Sequence, residues 1–226
     1  PFDHIVEPGE YASDYDRGAT VAARPDAVRV APICYQAGGE RPERSAACRA
    51  LGLDSEHTNV LVQLGAGQIN DVNSTVGAVA TELTTRSGVG VAVARSVLSA
   101  RAANGDGSST AVEVRKFPIT HWMSAFDAAI IAGGYNSFHE ALSMGVPSVV
   151  VPNLSTRTDD QDARSRWADD HGMAIRWDDS DQHRLRDVVD RLLDPTTMSE
   201  MRNRLSTLPR ADGARAAATL VASWAG

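Results

Sequence analysis

Cysteine is nearly absent, with Cys34 and Cys48 the only two in 226 residues. They are too far apart for a CxxC redox or zinc pair and too few for a disulfide framework. Both are therefore expected to be reduced, semi-buried thiols without a chemical role. A basic excess is missing too. The 22 Lys and Arg face 29 Asp and Glu, a formal net charge of −7. Nucleic acid and anionic membrane reward clustered cations, so neither is an expected partner. No apolar run approaches the roughly 20 residues of a spanning helix, and Pro1-Phe2-Asp3-His4 lacks the basic and apolar regions of a signal peptide. The chain is read as soluble and cytoplasmic, with no transmembrane segment.

Metal-ligand spacing is also lacking. His4, His57, His121, His139, His171 and His183 form no pattern such as HExxH. Asp179-Ser180-Asp181 imitates a metal-binding DxD, but its expected work is to cap the helix that contains Leu185, so no metal is expected. No internal repeat and no low-complexity tract is present.

What is there is an alternation of strand and helix periods. Residues 1 to 30, rich in Asp, Glu, Arg, Gly and Pro, read as a lead-in or linker outside the core, with a short extended stretch near Phe2 to Val6. A helix is predicted from Arg44 to Leu51, closed by Gly52, and a buried strand from Asn59 to Leu64. After Gly65-Ala66-Gly67, Val72, Val76, Val79, Ala80 and Leu83 share one helical face, with Asn70 or Asp71 as cap and Gly88 as terminator. Strands follow at Val89 to Val97, Ala111 to Val114, Asp127 to Ala132, Pro147 to Val151 and Ala174 to Trp177. A short helix at Ile119 to Ala125 and helices at Asn136 to Met144, Asp159 to His171 and beyond Leu185 complete the pattern. Strands alternating with helices predict an α/β fold with a Rossmann-like parallel sheet flanked by helices.

In an open parallel sheet, ligands sit beyond the carboxyl ends of the strands, so the segments after Leu64, Val114, Ala132 and Val151 are expected to meet at one crevice. The first, Gly65-Ala66-Gly67-Gln68-Ile69-Asn70, begins like a dinucleotide fingerprint but has Asn70 at the third glycine position. The next strand ends in Arg95-Ser96, not in a ribose-binding acid. A nicotinamide or flavin enzyme is therefore not expected. What remains is a glycine loop at a helix N-terminus, which serves an anion or simply turns the chain. The third segment is richer: Gly133-Gly134-Tyr135-Asn136-Ser137 supplies glycines, a cap and a hydroxyl at a second helix start. Glu140, one turn in, either complements the helix dipole or accepts hydrogen bonds from both hydroxyls of a ribose. Asp160 has a bland reading as a helix cap, and Phe117 and Trp122 have one as core aromatics.

Gly134-Tyr135-Asn136-Ser137, Glu140-Ala141-Leu142, Gly145-Val146-Pro147 and Asp160-Gln161 resemble the donor-binding signature of GT-B nucleotide-sugar glycosyltransferases. Plant UDP-glycosyltransferases and the bacterial lipid II-forming GlcNAc transferase share that signature. The resemblance covers roughly residues 59 to 177. It implies that Gly134, Asn136 and Ser137 hold the diphosphate of a UDP or other nucleotide sugar, with the neighbouring Tyr135 also among the substrate-binding residues. It implies further that Glu140 takes the ribose, that Asp160 and Gln161 take the sugar, and that Phe117 or its backbone meets the base. The loop with Gly65, Gly67, Gln68 and Asn70 would close over the phosphates. Ala132 replaces the phosphate-binding His of many plant members, which leaves more to backbone amides.

The same resemblance implies a single C-terminal domain of a GT-B architecture. Residues 31–226 would be the donor-binding domain, and residues 1–30 the remnant of an N-terminal domain strand and the interdomain linker. An N-terminal acceptor-binding domain, in the same or another chain, would then supply the general base. The expected reaction is metal-independent transfer from a nucleotide diphospho-sugar with inversion, without any cofactor. This chain alone is expected to be incomplete and inactive, with an exposed apolar strip on Ala211 to Trp224. Two alternatives stay open: a separate donor-binding subunit needing a partner chain, as in the two-subunit GlcNAc transferase of the dolichol pathway, and a sugar-nucleotide epimerase or hydrolase on the same fold.

Overall fold

In the computed structural model, the structure describes residues 3–17, 26–35, 41–65, 72–95, 110–156 and 159–224. The first elements are short: β1 (Val6–Pro8) pairs in parallel with β2 (Val28–Val30) as a separate two-stranded sheet. Helix α1 (Arg44–Leu51) ends at Gly52, whose φ of 75° is the left-handed conformation a closing residue needs.

The main sheet is built from β3 (Thr58–Gln63), β4 (Val89–Ala94), β5 (Val112–Val114), β6 (Ala128–Ala132), β7 (Ser148–Val151) and β8 (Ala174–Arg176). All of its pairings are parallel, and the strand order is β5-β4-β3-β6-β7-β8. The chain leaves β3 toward one edge, returns to β6 beside it, and proceeds to the other edge. The sheet therefore reverses its winding between β3 and β6, the place where open α/β folds hold ligands.

That reversal also puts the helices on opposite faces. Helix α2 (Val72–Thr84) lays Val76, Val79, Ala80 and Leu83 on the face carrying Val60, Val62, Ile130 and Val149, where α5 (Leu185–Leu193) and α6 (Pro195–Leu205) also pack. Helix α3 (Tyr135–Ser143) and α4 (Gln161–Asp170) cover the other face, with Phe138, Leu142, Trp167 and Ala168 against Leu61, Ile131 and Val150. Central strands are buried on both faces, hence their continuous apolar runs.

The structure corrects the reading of residues 1 to 30 as lying outside the core. Ala12 is fully buried, and Tyr11 and Tyr15 pack on the α3–α4 layer. The extended stretch near Phe2 to Val6 is realised as β1, slightly later in the chain. Helix α2 ends at Thr84, several residues before Gly88, which turns the chain into β4 with φ 73°. The expected caps Asn70 and Asp71 lie outside the described residues, as does most of the loop from Ser99 to Thr110. Asp181 is corrected as a cap: it precedes the 3-10 turn Gln182–Arg184 without a side-chain cap bond, because its carboxylate faces His183 at 3.0 Å. Helix α7 (Gly213–Trp224) leaves Val221 57% exposed, while Trp224 stacks on His4 at 4.2 Å. No helix among the described residues is long and apolar enough to cross a membrane.

Candidate nucleotide-binding site

Register brings the two glycine loops together. Gln63 of β3 pairs with Ile131 of β6, so Gly65 and Gly133 both stand two residues beyond one pair, side by side at the carboxyl end of the sheet. Gly65 has φ 91°, which only glycine adopts cheaply. The other residues predicted in that loop, Gly67, Gln68 and Asn70, lie outside the described residues.

Gly134 is the N-cap of α3, with extended backbone and no side-chain cap. The first-turn N–H groups of a helix have no intrahelical acceptor, so Tyr135, Asn136 and Ser137 present donors at the positive end of a dipole. Asn136 is exposed and Ser137 half-buried. Tyr135 turns the other way: its hydroxyl donates to the Gly9 carbonyl at 2.8 Å and accepts from the Ile33 N–H at 3.1 Å. Its ring thus fastens α3 to the N-terminal segment, while its backbone N–H stays with the cradle.

The loop after β7 closes the third side. Gln161 approaches both glycines: a Cβ on Gly133 would lie 3.1 Å from Gln161 Cβ, and one on Gly134 3.9 Å from its Nε2. The Gln161 amide accepts from the Asn153 N–H at 3.0 Å and donates to Asp159 at 3.2 Å. Asp160 serves as the N-cap of α4, accepting from the Ala163 N–H at 3.0 Å, with Arg17 N–H on its other oxygen at 3.4 Å.

Glu140 stands one turn into α3, half-buried. Burial pushes its carboxyl up to about 7, against a backbone hydrogen bond from Tyr35 that pulls it down. Near it, Cys34 lies 3.7 Å from the Ser143 hydroxyl, and burial raises that thiol above the ordinary range. Cys34 and Cys48 are free and buried. Phe117, three residues past β5, is 76% exposed, and its ring centre lies 5.7 Å from that of Tyr35, itself 52% exposed. Two large exposed aromatics thus neighbour a half-buried carboxyl group.

Tyr35 escaped the sequence reading. It lies far from Glu140 in the chain, in a stretch without periodicity, and only the fold brings it beside α3. Arg164 escaped as well, because an arginine three positions past Gln161 reads as a solvated helix face. It is in fact 7% exposed, with its Nη1 on the Gly133 carbonyl at 3.2 Å. His139 is structural: fully buried, with Nδ1 2.7 Å from the Tyr135 carbonyl oxygen and Nε2 2.9 Å from Glu10. Among the described residues, no three His, Cys, Asp or Glu side chains gather as metal ligands.

Similar proteins share this architecture. The spinosyn rhamnosyltransferase SpnG complexed with thymidine diphosphate superposes with a TM-score of 0.61 at 20% identity, covering 100% of this chain and 58% of that one. The glycosyltransferase SnogD from Streptomyces nogalater gives 0.59 at 19% identity, covering 96% and 56%. The spinosyn forosaminyltransferase SpnP gives 0.60 at 17%, covering 87% and 51%. The chain thus spans little more than half the length of these glycosyltransferases, and at such identities the likeness is one of fold. No curated protein sequence matches it. Residues 59–217 match the glycosyltransferase family 28 C-terminal domain, which includes every segment of the crevice after β3, and the chain belongs to that family as the C-terminal domain of a GT-B glycosyltransferase.

Proposed function

We propose that the crevice between the Gly65 and Gly133–Gly134 loops binds a pyrimidine nucleoside diphospho-sugar, the donor of a transfer reaction. The diphosphate lies against the Gly134, Asn136 and Ser137 amides, the Ser137 hydroxyl and the Gly65 loop, where the dipole of α3 favours negative charge. Glu140 accepts hydrogen bonds from the ribose, Phe117 and Tyr35 flank the base, and Gln161 with Asp160 faces the sugar.

The observation that carries this reading is Glu140: a half-buried carboxyl group at the winding reversal of the sheet, beside two exposed aromatic rings. A diol acceptor next to an aromatic shelf suits a nucleoside, and the helix N-terminus one turn away suits its phosphates.

In the reaction proposed, an acceptor oxygen attacks the anomeric carbon from the face opposite the diphosphate. The bond to the diphosphate breaks with inversion, and the acceptor proton passes to a base on an N-terminal acceptor domain, in this or another chain. Amides and the α3 dipole stabilise the departing diphosphate, so the step proceeds without a metal. This domain alone binds donor and transfers little or nothing.

The base is uracil in the first instance. Thymidine diphosphate, with which SpnG is complexed, is the second candidate. It lacks one ribose hydroxyl, so a Glu140 contact to both hydroxyls favours uridine.

Calorimetric titration of the uridine, thymidine, guanosine and adenosine diphosphates into the chain, repeated with Glu140→Ala, tests the proposal. The expected result is selective binding of a pyrimidine diphosphate that weakens by roughly 1 to 3 kcal/mol without the carboxylate. Binding of none by the folded chain contradicts the proposal. Turnover of a nucleotide sugar with no acceptor present would move the reading to an epimerase or hydrolase.

A further inference from the structure

Three consecutive residues at the N-terminal side, Gly9, Glu10 and Tyr11, all reach the first five residues of α3. The Gly9 carbonyl takes the Tyr135 hydroxyl at 2.8 Å, Glu10 lies 2.9 Å from His139 Nε2, and the Tyr11 N–H stands 3.3 Å from the same nitrogen. The other Glu10 oxygen pairs with Arg164 Nε. Arg164 Nη1 in turn donates to Asp159 and to the Gly133 carbonyl. These side chains are hidden, with side-chain exposures of 0% for His139, 8% for Arg164 and 12% for Glu10. Gly9 is itself wedged in place, because a Cβ there would meet the Val30 carbonyl oxygen at 2.3 Å.

The Gly133–Gly134 peptide unit is where this cluster bears on the crevice. A peptide is planar and trans, so its carbonyl and N–H point in opposite directions. Pinning the Gly133 carbonyl on a buried guanidinium therefore aims the Gly134 N–H away from the charged cluster. Arg164 can hold that position only while Glu10 and Asp159 hold Arg164, since a buried charge that loses a partner is strongly disfavoured. Residues 9–11 fall outside the 59–217 span matched to the family.

We infer that Gly9–Tyr11 belongs to the donor site as a strap which, through Glu10 and Arg164, fixes the Gly133–Gly134 peptide and the first turn of α3 against the diphosphate. The inference rests on the nucleotide reading of the crevice. Glu10 and Arg164 act as positioning residues, since neither contacts the donor. Their loss is felt at the phosphates and not at the ribose or base, which are held further along α3 and by Tyr35 and Phe117.

The test compares uridine diphosphate with uridine, by titration followed in NMR spectra, on the full chain and on Glu10→Gln and Arg164→Met. In each variant, affinity for the diphosphate is expected to fall about tenfold while that for uridine stays within about twofold. The double variant loses less than the sum of the two, because both act through one cluster. A purely structural role would lower the melting temperature and leave the diphosphate-to-nucleoside affinity ratio unchanged. Glu10→Gln keeps the side chain's shape while removing its charge and turning one acceptor oxygen into a donor, so it decides the matter if Arg164→Met does not fold. An unchanged ratio in Glu10→Gln overturns the inference and leaves the nucleotide reading standing. Failure of the wild-type chain to bind any nucleoside diphosphate overturns both.

Discussion

The two ends of the main sheet treat their polar groups in opposite ways. At the amino ends of β3 and β6, Arg44 forks onto Asp127 at 2.7 and 3.2 Å and reaches the His57 carbonyl at 2.8 Å. Asp127 also accepts the Asn59 N–H at 2.9 Å, and the fully buried Asn59 amide donates to the Asp54 carbonyl at 2.8 Å. Side chains there tie α1, β3 and β6 together. At the carboxyl ends, glycines replace side chains, helix-start amides face outward, and a carboxyl group sits with its proton held up to about 7 by burial. One end ties its strands together through side chains; the other holds the groups assigned to the proposed ligand.

The contrast breaks most visibly at Asp127. Asp127→Ala leaves the Arg44 guanidinium without its fork and the Asn59 N–H without its acceptor. Urea unfolding should report a loss of about 3 kcal/mol, with nucleotide affinity of the folded protein unchanged. A parallel drop in affinity would mean that the two ends are not separable.

A smaller effect sharpens the same comparison through pH. Glu140 has its folded pKa raised from 4.5 to about 7. The folded chain therefore binds this proton more tightly than the unfolded one. The resulting stability is fully present below about pH 4.5 and is lost as pH rises toward 7. Relative to Glu140→Gln, the wild-type chain should lose stability between about pH 5 and about pH 8. Affinity for a nucleotide sugar should run the opposite way, rising over that range because the ionised carboxylate is the better acceptor of ribose hydroxyls. In Glu140→Gln both trends should flatten, as thermal melts and titrations at the two pH values would record.

The same division explains what the sequence disclosed. Continuous apolar runs such as Val149-Val150-Val151 and glycine stops such as Gly52, Gly145 and Gly172 announced the strands and helices, because those signals are local. Gly134 and Glu140 were legible because they lie within one short segment, a helix start and its first turn. Tyr35, Glu10 and Arg164 were not, since their placement depends on contacts between distant parts of the chain. Glu10 and Arg164 in particular look like solvated charges until the fold buries them against each other. Residues 1 to 30 misled for the same reason: their composition is that of a linker, yet Ala12 and Tyr11 pack with the core under α3 and α4.

The proposed hold of Glu140 on a ribose is tested by removing the ribose hydroxyls and the carboxylate separately and together. Uridine diphosphate and its analogue lacking both ribose hydroxyls would be titrated into the wild-type chain and into Glu140→Gln. The wild-type chain is expected to lose at least about tenfold in affinity for the analogue, while the variant binds both ligands nearly alike. Equal discrimination by the two proteins would contradict it.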